Sequence, residues 1–196
     1  MMNCIIAGVG GQGTVLASKL IAAAAMKQGL NVRTTETIGM AQRGGCVVSH
    51  VRMGEEIFSP LVPLKSADVI IAFEPAEAVR VLPYLAPGGL MIVCDSRILP
   101  VTSSLSGDCY QAADMLSYLQ SVVSRLVVID GAVLIDACKS TKVLNVALLG
   151  AASASGAFPF DPVTMEEIVR EKVPARFLEM NLAALAIGQR CYTRED

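Results

Sequence analysis

The sequence predicts an α/β protein: a mostly parallel sheet with helices on both faces, an inserted antiparallel hairpin and a helical C-terminal third. Three observations predict it. A short apolar run, Cys4-Ile5-Ile6-Ala7, enters the glycine cluster of "GVGGQG" and then an alanine-rich segment free of Gly and Pro, the order of strand, tight turn and helix. The runs "DVIIAF" at Asp68–Phe73 and "LMIVC" at Leu90–Cys94 are continuous, as central parallel strands buried on both faces should be. Helix-like segments separate such runs along the chain, which is the pattern of repeated βα units.

Taken in order, Asn3–Ala7 reads as the first strand and Thr14–Gln28 as a helix that approaches the sheet through small residues such as Ala17 and Ala24. Asn31–Thr35, after Gly29, is the second strand. Cys46–Met53 alternates, with Val47, Ser49, Val51 and Met53 on one face and Val48, His50 and Arg52 on the other, and so predicts a half-buried strand. "MGEE" then reads as a hairpin turn into Ile57-Phe58. Pro75–Tyr84 has Pro at its start and Pro87-Gly88-Gly89 beyond its end, a regular helix entry and exit. Ala112–Ser124 and Ala132–Lys139 read as helices flanking the strand Leu126–Ile129. Val143–Ala154, Thr164–Glu171 and Ala175–Arg190 complete the helical third, with Thr164 as an N-cap three residues before Glu167. No internal repeat and no dividing linker interrupts the pattern, so one domain over 1–196 is expected.

Composition excludes several classes. With 53% apolar and 17% charged residues, disorder is not expected. No window supplies the ~18 uncharged apolar residues of a membrane span, and no basic flank precedes the first apolar run, so the expected location is the cytoplasm, away from membranes. A net charge of −2 without a basic stripe, and no tryptophan, argue against nucleic acid. The six cysteines are scattered without a CxxC pair, which leaves no metal or iron–sulfur site to this chain.

Gly8, Gly10 and Gly13 fit G-x-G-x-x-G in the correct place, between strand and helix. There the glycines allow a tight turn and a close backbone approach to phosphate, so Gly8, Gly10, Gly11, Gln12, Gly13 and Thr14 are the candidate cofactor-binding residues. Glu36 lies where a dinucleotide site wants its acid. Two readings stay open at this point: a stand-alone nucleotide- or flavin-binding module, and glycines that only make the crossover turn. A second loop, "TIGMAQRGG", places Arg43 before Gly44 and Gly45; its guanidinium suits a carboxylate or phosphate. In a parallel sheet both loops emerge at one edge, which makes Gly39, Gln42, Arg43, Gly44, Gly45 and Glu74 candidate substrate or partner contacts. Glu74, Asp95 and Asp130 each follow a strand, where they either line that edge or cap the next element. His50, the single histidine, reads as structural, with its catalytic contribution open, and no catalytic residue or metal ligand is assigned.

"GVGGQGTVLASKLIAAAA", "ETIGMAQRGGCVVSHVR", "SPLVP", "ADVIIAFEPAEAVR", "NVALLGA" and "NLAALAIG" together resemble the gamma component of 2-oxoacid:ferredoxin oxidoreductases, in its indolepyruvate ferredoxin oxidoreductase beta-subunit branch. Ile38 stands where that branch would carry His, a departure that bears on the identity of the 2-oxoacid. The resemblance implies a Rossmann-like fold and a heteromeric enzyme. In it, a large partner subunit carries thiamine diphosphate, magnesium and iron–sulfur clusters, decarboxylates the 2-oxoacid and reduces ferredoxin. CoA is the co-substrate and leaves as acyl-CoA. This chain would be the accessory subunit, inactive alone, with a homodimer open to it when isolated.

Overall fold

The computed structural model describes residues 1–38, 45–98 and 111–192. Its strands are β1 (Met2–Val9), β2 (Asn31–Ile38), β3 (Cys46–Gly54), β4 (Ala67–Ala72), β5 (Leu85–Cys94) and β6 (Arg125–Ile129), ordered β2-β3-β1-β4-β5-β6 in one sheet. β1, β4, β5 and β6 pair in parallel, while β3 runs antiparallel to both β1 and β2. β3 is thus the one reversed strand among those described, wedged between β1 and β2.

This corrects the expected hairpin. The antiparallel partner of β3 is β2, from Asn31 opposite Gly54 to Ile38 opposite Val47. After Gly54 no strand forms through Ile57-Phe58. β3 already brings the chain to the edge of the sheet where β4 begins, so residues 55–66 only need to cross over.

The helices are α1 (Thr14–Lys27), α2 (Pro75–Val81), α3 (Ala112–Val122), α4 (Gly131–Cys138), α5 (Leu144–Ala154), α6 (Pro162–Lys172) and α7 (Ala175–Tyr192). Alternate residues of the continuous apolar runs feed two separate cores. Cys4, Ile6, Val69, Ile71, Leu90 and Ile92 face α1 and α5–α7, whereas Ile5, Ala7, Ile70, Ala72, Met91 and Val93 face α2 and α3. None of these twelve side chains is more than 2% exposed, and for each large one such burial is worth about 1.5–3 kcal/mol before entropy is set against it.

β3 is not half-buried as its alternation predicts. Ser49, His50 and Arg52 are all under 9% exposed, because α1 covers one face of the strand and residues 55–66 cover the other. The buried polar groups find partners there. The His50 Nδ1 accepts from the Val62 N–H at 3.1 Å. Arg52 donates to Asn3 Oδ1 at 2.9 Å and to the Ser59 and Leu61 carbonyls at 3.0 and 3.3 Å, which offsets the cost of burying a guanidinium.

The small residues of the last third make an internal contact. A Cβ on Gly150 would strike the Leu185 carbonyl, and one on Gly188 the Ala147 carbonyl, so α5 and α7 cross backbone to backbone. α6 is capped by Asp161, whose Oδ1 accepts from the Thr164 N–H at 2.8 Å. Thr164 itself is a buried third residue of the helix rather than its cap, because Pro162 already occupies the first turn with a fixed φ and no N–H to satisfy. No helix among the described residues is long and apolar enough to cross a membrane.

Candidate functional site

Between Val9 and Thr14 the chain must turn from strand to helix within four residues. Gly11 (φ 101°) and Gly13 (φ 82°) do so in the left-handed region, where a side chain is strained. Gly8 is constrained differently: a Cβ there would lie 2.8 Å from Gln12 Oε1 and 3.2 Å from the Phe73 ring. The Gly10 N–H donates to the Gly45 carbonyl at 2.8 Å, so the first glycine loop and the end of the second touch. Gly39, Gln42, Arg43 and Gly44 lie outside the described residues. Thr14 is 3% exposed and packs inward.

Beside this loop, at the C-terminal ends of β1, β4 and β5, lies a cavity of about 510 Å³, the place where open α/β sheets hold ligands. Gly10, Gly11 and Gln12 form one wall, Phe73 another, and Ser96, Arg97 and Ile98 a third. Thr141, in the turn before α5, and Leu144 and Asn145, at its start, close it. Among the described lining residues Arg97 is the one that is charged, and none is a carboxylate.

The helix ends reinforce this bias toward anions. α2, α4 and α6 are capped by the carboxylates of Glu74, Asp130 and Asp161. α1, which follows the Gly10–Gln12 wall in the chain, has neither a capping side chain nor an acid in its first turn, and the same holds for α5. The first N–H groups of a helix lack intrahelical partners and carry partial positive charge, so an uncapped helix start suits phosphate, as does an arginine in the cavity wall.

The strand-end acids therefore have local duties. Glu74, expected as a contact residue, is 1% exposed and caps α2 by accepting from the Glu77 N–H at 3.0 Å. Burial pushes its carboxyl up, against the backbone N–H groups of Glu77, Ala76 and Ile98, which favour the anion. Asp95 Oδ1 accepts from Gly131 N at 2.8 Å, and Asp130 Oδ1 from Val133 N at 2.9 Å. At neighbouring Cys46, burial, then a hydrogen bond to Glu77 and its charge, push the thiol up to about 12, which favours the protonated form.

Glu36 does not serve a dinucleotide site of the usual geometry. Its Oε1 accepts from Ser18 Oγ at 3.2 Å. β3 also separates β2 from β1, which moves this acid about 4.8 Å farther from the glycine loop than adjacent strands would. His50 is likewise structural, with its Nδ1 bonded to the Val62 N–H and its ring edge-on to Tyr84 at 5.5 Å.

Of the lining residues, Ser96, Arg97, Thr141 and Asn145 were not among the sequence candidates. Ser96-Arg97 follows "LMIVC" at a strand end, and that position was the available signal. Asn145 carries no local signal, because α5 reaches the loop across 132 residues, where its Nδ2 bonds the Gly13 carbonyl at 3.3 Å.

The chain is 38% identical to the indolepyruvate oxidoreductase subunit IorB of Archaeoglobus fulgidus, over 95% of this chain and 93% of that one. It is 35% identical to the IorB of Thermococcus kodakarensis over the same shares. Its fold matches the crystal structure of a keto/oxoacid ferredoxin oxidoreductase gamma subunit from Geobacter sulfurreducens PCA (TM-score 0.72, 21% identity, 99% of both chains). It also matches part of a 2-oxoglutarate:ferredoxin oxidoreductase from Magnetococcus marinus, solved with 2-oxoglutarate, coenzyme A and succinyl-CoA bound (TM-score 0.72, 23% identity, 98% of this chain and 31% of that one). The model of the pyruvate ferredoxin/flavodoxin oxidoreductase family spans residues 3–191, and with these relatives it shows that the chain belongs to that family.

Proposed function

We propose that this chain is the non-thiamine subunit of a cytoplasmic indolepyruvate-type 2-oxoacid ferredoxin oxidoreductase, acting as one domain, and that its cavity receives the phosphate end of coenzyme A. A larger partner would hold thiamine diphosphate, magnesium and the iron–sulfur clusters, and would pass electrons to ferredoxin. Near-full-length identity to IorB subunits supports the assembly.

The observation that carries the ligand assignment is the cavity: Arg97, the Gly10–Gln12 wall that leads into the uncapped start of α1, the apolar Phe73, Ile98 and Leu144, and no carboxylate among the described lining. Such a site favours a molecule with anionic groups joined to an uncharged arm. Gly8, Gly10, Gly11 and Gly13 shape the loop, whose Gly10 and Gln12 N–H groups are spent on the Gly45 and Val9 carbonyls, so that the N–H groups of Gly11 and Gly13 are the ones to meet the phosphates. Gly45 abuts that loop, and Gly39, Gln42, Arg43 and Gly44, which precede it in the sequence and lie outside the described residues, keep their expected role as substrate or partner contacts.

Co-expression with the large subunit tests both statements. A stable complex that reduces ferredoxin with indolepyruvate and CoA is expected; failure to assemble overturns the subunit reading. Within that complex, Arg97→Ala should raise the KM for CoA about tenfold or more, the loss of one charge-assisted contact, with a smaller effect on kcat. An unchanged KM overturns the CoA assignment.

A further inference from the structure

The parallel ladder between β1 and β4 stops one rung short of where its backbone would carry it. Ala7 pairs with Ala72, and the Phe73 N–H donates to the Ala7 carbonyl at 2.9 Å. In the alternation of a parallel pair, the next rung runs from the Val9 N–H to the Phe73 carbonyl. Neither group makes that bond. The Val9 N–H donates to Gln12 Oε1 at 2.6 Å, and Gln12 Nε2 donates to the Phe73 carbonyl at 3.0 Å. One carboxamide stands in the place of the rung and satisfies both backbone groups.

We propose that Gln12 is a positioning residue, a spacer that holds the ends of β1 and β4 apart and so keeps open the crevice walled by Gly10, Gly11 and Phe73. The carboxamide is suited to this because it offers one acceptor and one donor on a rigid plane. Its own N–H donates back to the Val9 carbonyl at 3.1 Å, which fixes the loop around the side chain. A Cβ on Gly8 would sit 2.8 Å from Gln12 Oε1, so the glycine makes room for the amide. Gln12 thus acts through the shape of the site, and the role expected from its place in "GVGGQG", direct cofactor contact, is replaced by one in which its polar atoms serve the sheet. This builds on the reading that the cavity takes CoA, and its test separates the two.

In Gln12→Ala the missing rung is free to close. A crystal structure of the full chain carrying that change should show Val9 N within hydrogen-bonding distance of the Phe73 carbonyl; strand ends that stay apart overturn the spacer role. In the assembled enzyme the same variant should raise the KM for CoA at least tenfold, more than it lowers kcat. If the rung closes and that KM does not move, the spacer stands and the CoA reading falls.

Gln12→Glu adds a sharper measurement. The carboxylate keeps the acceptor for Val9 but turns an oxygen toward the Phe73 carbonyl, so the KM should be raised at pH 8. It should recover as acid restores a carboxyl proton that can point to Phe73. The wild type, whose Gln12 carboxamide is neutral at every pH, should lack this step. A Gln12→Glu enzyme with a flat pH profile and wild-type KM overturns the proposal.

Discussion

His50 is held neutral in the folded chain: burial disfavours the imidazolium and lowers its pKa, and its Nδ1 already accepts the Val62 N–H. Protonation would turn that acceptor into a second donor facing a donor. Because the folded pKa lies below that of the unfolded chain, the unfolded state takes the proton first as pH falls. Stability due to this group is therefore fully present above about pH 6.5 and declines below it, by at most about 1.4 kcal/mol per pH unit. His50→Asn, which retains an acceptor near Nδ1 and does not titrate, should flatten that part of the curve. Urea unfolding at pH 7.5 and 5.5 checks this, and identical slopes in variant and wild type would show that His50 contributes nothing to acid sensitivity. At the same scale, sequence reading placed the glycines well, since Gly11 and Gly13 have the positive φ a tight turn demands. It could not choose between cap and contact for Glu74, Asp95 and Asp130, because both duties favour a short-chain acid after a strand.

α5 and α7 meet where no side chain fits. Alanine is the better helix former, by about 1 kcal/mol over glycine, yet at Gly188 or Gly150 its methyl would strike a backbone carbonyl. A carbonyl inside a helix cannot rotate away as a side chain does, so the helices must separate and lose packing. Gly188→Ala should cost about 3 kcal/mol or more, read as a lowered denaturation midpoint at constant slope; a neutral or stabilising result would mean the helices cross less closely than described. The helices were legible because they have caps, exits and small-residue faces in the local sequence. β3 was misjudged for the converse reason. Its Val, Ser, His and Arg alternate as in a half-solvated strand, and the groups that let His50 and Arg52 be buried come from Ser59, Leu61 and Val62, outside the strand. The hairpin was misplaced because Gly54-Glu55-Glu56 has turn chemistry, although the strand that pairs with β3 lies upstream.

Across the whole molecule, the segment anchored by His50 and Arg52 presents Phe58 at 93%, Leu61 at 55% and Leu64 at 62% exposure. Grouped apolar side chains on an anchored loop mark a surface for another protein. We predict that in the proposed assembly the large subunit rests on this loop. Phe58→Ser with Leu61→Ser should leave the melting temperature of the isolated chain within a degree or two, since neither side chain is buried, and should abolish co-purification with the large subunit. Retention of the complex would assign the contact to another face.

By itself the sequence determined the fold class, the two-faced burial of the central strands and the positions where the backbone must turn, because periodicity and glycine placement express burial and φ locally. Only the tertiary structure decided that β3 enters between β1 and β2, that the strand-end acids cap helices, and that Gln12 replaces a rung of the sheet. Each of these depends on which distant segments become neighbours; Gln12 and Phe73 are 61 residues apart. A pattern of local preference says how a segment is buried, and leaves open what it is buried against.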